Sequence, residues 1–91
     1  AQLAQSYLNL EQWQLAIDSA KTALKRGGVE QVGNMYLVLG MSHFNLRKFD
    51  DSLLAFNQAK SVPATEKTAK QWTDYVSKEQ SYQQRLNQIS Q

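Results

Sequence analysis

Leu39-Gly40-Met41-Ser42-His43-Phe44-Asn45-Leu46 restates Leu3-Ala4-Gln5-Ser6-Tyr7-Leu8-Asn9-Leu10 at a distance of 36 residues. Leu3 falls on Leu39, Ser6 on Ser42, Asn9 on Asn45 and Leu10 on Leu46. The offset holds downstream. Trp13 meets Phe49, Ala16 meets Ser52, Ile17 meets Leu53 and Ala23 meets Ala59. Chance matches do not keep one register over that length. A fixed period of about 20–50 residues marks a repeat architecture, in which each unit buries its apolar face against the next.

Working outward, the chain offers few places to break a helix. It has four Gly and one Pro in 91 residues, and two of the Gly are adjacent at Gly27-Gly28. Ala, Leu, Gln, Lys and Glu dominate, all good helix formers. No stretch alternates with the period of two that a half-buried strand needs. The expectation is an all-α fold in three blocks: residues 1–26, 30–62 and 64–88. The pair Gly27-Gly28 is expected to lengthen the first linker and so to stretch the period to 36.

The size and charge narrow the function classes. A chain of 91 residues with 42% apolar side chains is one small domain or a piece of one. It buries roughly 60–65% of its unfolded surface, so its stability margin is thin. There is no Cys, which excludes a disulfide scaffold and any Cys-based metal site or nucleophile. The longest apolar run, Met35-Tyr36-Leu37-Val38-Leu39, is far too short to cross a bilayer. The net charge of +2 comes from ten basic and eight acidic residues spread evenly, so no nucleic-acid arm is expected.

The second copy spells Tyr36-x-x-Leu39-Gly40-x-x-His43, then Phe49, Ser52-x-x-x-Phe56, Ala59 and Pro63. The first spells Leu3-Ala4-x-x-Tyr7, then Trp13, Ala16-x-x-x-Ala20 and Ala23. Both resemble the tetratricopeptide repeat (TPR), whose pattern runs aromatic, Leu-Gly, aromatic, small, aromatic, Ala, Pro. The resemblance implies an α-solenoid of antiparallel helix pairs. Ala4, Gly40, Ala16, Ser52, Ala20, Ala23 and Ala59 would let the helix axes approach, while Tyr7, Tyr36, Leu39, Trp13, Phe49 and Phe56 fill the gaps. Asn9 and Asn45 would sit near the tight turn of each pair. After Pro63, Thr65 is expected to cap a last helix whose apolar stripe is Ala69, Trp72, Tyr75, Val76 and Tyr82. Its polar remainder suits a C-terminal cap.

The first copy begins mid-pattern, and arrays of this kind need about three repeats for stability. The expectation is the C-terminal piece of a longer array, or a homo-oligomer formed through the open N-terminal end. The run Phe44-Asn45-Leu46, Phe49-Asp50, Ala55-Phe56 and Lys70-Gln71-Trp72-x-x-Tyr75-Val76 is also similar to bacterial TPR proteins encoded beside TonB-type energy-transducing systems. That likeness implies a periplasmic accessory of an envelope complex.

In TPR arrays the first helix of each repeat lines a concave groove. Carried over, the partner-binding positions are Gln5, Leu8 and Asn9, then Asn34, Leu37, Met41, Phe44 and Asn45, then Lys67 and Lys70, with Asp74 beside them. Tyr36, Leu39, Gly40 and His43 suffice for the core of the second repeat's first helix. Leu37, Met41 and Phe44 are therefore left for an extended peptide or helix, or for packing on a further repeat. TPR domains that grip a chaperone's C-terminal carboxylate need Lys, Asn and Arg in the groove. The corresponding Gln5, Leu37 and Val38 depart from that set, and Lys70 is the one comparable cation.

No catalytic, cofactor or metal site is expected. His43, the single His, stands at an aromatic position of the pattern and is expected as a buried, hydrogen-bonded core residue. One His without Cys cannot assemble a metal site. Asp50-Asp51 suits a helix start, and Gly27-Gly28 is not followed by the Gly-Lys-Ser/Thr of a phosphate loop. The expected function is a non-catalytic protein-interaction scaffold with a peptide or protein partner, no nucleic acid and no membrane insertion. The alternative is a structural segment that drives self-association of a larger protein.

Overall fold

The computed structural model describes residues 2–27 and 31–89, with side chains from Leu3 onward. Gly28 and the expected start of the second repeat at residue 30 lie outside them. The described residues form five α-helices and no strand: α1 (Gln2–Asn9), α2 (Trp13–Arg26), α3 (Val32–Asn45), α4 (Phe49–Lys60) and α5 (Glu66–Ile89). Each packs on its neighbour in sequence, and α1 also touches α3. The α3–α4 contact is the most extensive. Among the described residues no helix is long and apolar enough to cross a membrane.

The 36-residue offset returns in the backbone, bond by bond. At the end of α1, the Leu10, Glu11 and Gln12 N–H groups donate to the Ser6, Leu8 and Tyr7 carbonyls at 3.1, 3.0 and 2.9 Å. At the end of α3, Leu46, Arg47 and Lys48 donate to Ser42, Phe44 and His43 at 3.1, 3.0 and 2.9 Å. These are the paired 6→1 and 5→2 bonds that close a helix through one left-handed residue. That residue is Glu11 (φ 58°) in the first turn and Arg47 (φ 65°) in the second. The Asn residues do not take this role. Asn9 and Asn45 are the last helical residues, and the closing geometry needs the left-handed backbone two positions later. A three-residue turn between helices that pack on each other makes α1–α2 and α3–α4 antiparallel hairpins.

Helix α2 has 14 residues against 12 in α4. The lengthened linker expected at Gly27-Gly28 lies largely outside the described residues. Gly27 closes α2 at φ 73°, a backbone that suits Gly, and a Cβ there would meet nothing within 4 Å.

The core sits between the hairpins. Ala4, Ala16, Ile17, Ala20, Met35, Val38, Leu39 and Ala55 form one buried cluster, with Tyr7, Leu8, Tyr36 and Leu46 packed against it. Helix α3 is buried by Met35, Val38, Leu39 and Ser42 on one side and by Gly33 and Gly40 on another. Tyr36 and His43, expected in this core, are only half-buried. The preceding hairpin docks against a face centred a third of a turn away from them, which Met35, Val38 and Ser42 occupy.

Helices α3 and α4 meet without a spacer at Gly40. A Cβ there would come within 2.5–2.7 Å of the Phe56 ring, which is fully buried. Ser52 Oγ donates to the Gly40 carbonyl at 2.7 Å across the same contact. Behind it, Phe56 stacks on Trp72 of α5, with centroids 5.4 Å apart and planes within 9°. Thr65 begins α5 but does not cap it with its side chain. Its Oγ1 donates backward to the Ala59 carbonyl at 2.8 Å, tying the end of α4 to α5. Substituting Gly40→Ala should lower stability by about 1–2 kcal/mol, overpacking outweighing the gain in helix propensity. Gly27→Ala should cost about 1–3 kcal/mol through the backbone alone, since φ 73° with ψ −178° is essentially confined to Gly. Urea titration followed by circular dichroism measures both; a neutral Gly40→Ala would show that Phe56 can yield.

Candidate functional site

On α3 the two buried sides leave a strip between them. At about 100° per residue, Asn34, Leu37, Met41, Phe44 and Asn45 fall within one sector roughly 100° wide. Leu37, Met41 and Phe44 are half-buried, and Asn34 and Asn45 are exposed. Asn45 is engaged locally, its Nδ2 donating to the Met41 carbonyl at 2.8 Å. On α1, Gln5 Nε2 donates to Asn9 Oδ1 at 3.0 Å, so these exposed polar groups hold each other. Leu8 packs against the core cluster.

The strip deepens at its C-terminal end. Phe44, Asn45, Gln71, Trp72 and Tyr75 line an open cleft of about 420 Å³. A smaller one of about 290 Å³ continues it past Arg47 and Glu79. Phe44 is the hub, with ring centroids 5.7 Å from Phe49, 6.3 Å from Trp72 and 5.4 Å from Tyr75. It is therefore not spare. It lines the cleft and also joins α3, α4 and α5 through aromatic contacts.

The α5 wall is not the expected one. Lys67 and Lys70 are exposed, and neither lines the cleft. Lys67 stands nine residues from buried Val76, on the opposite side of the helix. Lys70 Nζ lies 3.9 Å from Glu66 Oε2 on its own helix. Asp74 is exposed as well. Gln71, Trp72 and Tyr75 take the place assigned to the lysines. The signal was present: Leu37 and Met41 advanced by 34 residues are Gln71 and Tyr75. The apolar stripe expected on α5 also divides. Ala69 and Val76 are buried, Trp72 is half-buried, and Tyr75 and Tyr82 are exposed.

His43 lies on the other side of α3, in a shallow depression with Lys21, Tyr36, Asp51, Leu54 and Gln58. It is half-buried, and its Nδ1 has no hydrogen-bond partner among the described residues. Burial lowers its pKa below 6.5; Asp51 raises it, and Lys21 and Lys48 lower it further. The neutral ring is therefore favoured by folding. Stability from this group is complete above the unfolded value near 6.5 and is lost as pH falls toward the folded value. Between pH 7 and 5.5 the urea midpoint should drop, and His43→Phe should flatten that drop. An unchanged slope in the variant would assign the acid sensitivity elsewhere.

In comparisons with known proteins, no family model, no curated sequence and no solved structure matches this chain.

Proposed function

We propose that this chain is a TPR-like α-solenoid segment that acts as a non-catalytic scaffold, binding a peptide or protein along the strip from Leu37 to Tyr75. The observation that carries this reading is the strip itself. Leu37, Met41 and Phe44 stand half-buried between two packed faces of α3, and they run into an aromatic cleft rimmed by Asn45 and Gln71. Apolar side chains flanked by amide groups suit a peptide that buries alternate side chains and hydrogen-bonds its backbone to the rim. The duplicated turns and the size-matched helix contacts support the TPR likeness. The same likeness supports an accessory role in a bacterial envelope complex.

The test is selection from a displayed library of random peptides, with binding mapped by amide chemical shifts. Binders should perturb Asn34, Leu37, Met41, Phe44, Asn45, Gln71 and Tyr75. Met41→Glu should abolish capture while leaving the helical spectrum unchanged. Binders that map elsewhere, or that tolerate Met41→Glu, would remove the groove reading.

A second reading has its own observation. Leu3 is 58% exposed, whereas its counterpart Leu39 is 7% exposed, buried where the second hairpin meets the first. Leu3, Ala4, Ser19, Thr22 and Ala23 line an open cleft of about 350 Å³ on this N-terminal face. A face that is an interface in one hairpin is open in the other, which favours self-association or packing on a further helix pair. Sedimentation should then show a dimer that Leu3→Glu dissociates; a monomer at all concentrations rules out self-association.

A further inference from the structure

Helix α5 has 24 residues against 12 in α4, about 36 Å against 18 Å of helix. Between them Gln80 Nε2 donates to Asp50 Oδ1, in the first turn of α4, at 3.0 Å. From Gln84 to Ile89 every residue is exposed. Along this helix Trp72, Tyr75, Glu79, Tyr82, Leu86 and Ile89 are spaced three, four, three, four and three residues apart. That is the seam of a helix built to pair with another helix. Its first member is covered by Phe56 and Phe44. Farther along, Tyr75 is 53%, Tyr82 50% and Ile89 79% exposed.

The charges beside the seam choose the occupant. Lys78 and Arg85 lie along one edge, and Gln83 lies on the other. Two ion pairs occur among the described residues, Arg47–Glu79 and Glu66–Lys70, and neither engages Lys78 or Arg85. Glu79, the one acid in the seam, accepts from Gln83 Nε2 at 3.2 Å and faces Arg47 at 3.8 Å, so its charge is used within the chain. A second copy paired antiparallel would bring Lys78 and Arg85 toward their own counterparts, which repel. Paired parallel, they would face Gln83, which offers no charge. A helix with acidic side chains beside its apolar seam meets both basic groups with opposite charge.

We propose that the α5 face from Tyr75 to Ile89 docks an amphipathic helix of a partner protein whose flanking positions are acidic. This site shares Tyr75 with the aromatic cleft and extends beyond it through Tyr82 to Ile89, so it does not rest on the groove reading.

The probes are two synthetic three-heptad peptides with Leu at the seam positions, one with Glu and one with Lys at the flanking positions. Each repels its own copies. Titrated into the 91-residue chain, the Glu peptide should bind about tenfold more tightly than the Lys peptide. The preference should weaken with added salt. Tyr82→Glu, at an exposed position, should abolish binding with the helical spectrum intact, and Lys78→Glu with Arg85→Glu should reverse the preference. Met41→Glu should leave Glu-peptide binding unchanged, separating this site from the groove. Equal binding of both peptides, binding of neither, or a dimer of the chain alone that Tyr82→Glu dissociates would each overturn the proposal.

Discussion

The closeness of α3 to α4 at Gly40 sets the positions of the other parts. With no side chain at Gly40, the Phe56 ring lies flat against the α3 backbone, and Ser52 reaches the Gly40 carbonyl at 2.7 Å. Phe56 held in that place presents its other face to Trp72, which positions α5. Trp72 in turn stands edge-on to Phe44 and Tyr75, and these three rings shape the cleft. The first hairpin solves the same contact with other volumes. Ala4 replaces Gly40, Ala20 replaces Phe56, and Val38 stands where Trp72 stands in the next helix. The methyl of Ala4 is tolerated because no ring lies opposite it. Small against large in one hairpin and small against small in the other both reach the close packing that protein interiors require.

Much of this was legible in the sequence because the repeat is a local signal. Matching Leu3-Ala4-x-Ser6 to Leu39-Gly40-x-Ser42 marked two equivalent helices, and the composition marked an all-helical chain; the described residues are all-helical with no strand. The finer face assignments were not legible from one copy. Met35, Val38 and Ser42 are buried because the preceding hairpin covers them, and periodicity within α3 alone does not show which side a neighbour takes. The last helix held the answer. Ala69, Trp72 and Val76, all in the apolar stripe expected for α5, lie 34 residues beyond Met35, Val38 and Ser42.

The proposed binding strip was legible in part for the same reason. Its α3 members, Leu37, Met41 and Phe44, lie together on one sector, as the repeat register implies. On α5 the carried-over positions Lys67 and Lys70 stand outside the cleft, whose wall is Gln71, Trp72 and Tyr75. The structure also gives Phe44 two roles, since the same ring that opens to solvent in the cleft braces three helices. A ligand held at Phe44, as proposed, would thereby be coupled to the packing of α5.

The order of packing bears on how the chain comes apart. Each helix rests chiefly on those beside it in sequence, so among the described residues no distant segment closes the structure into a ring of mutual support. Interactions of this local kind form quickly and without long loop closure. They can also be lost one helix at a time from either end. Helix α1 has eight residues and α5 ends in an exposed turn, whereas α3 and α4 share the largest contact. Amide hydrogens in the central hairpin are therefore the last to exchange with solvent, and the two terminal helices open and close around it.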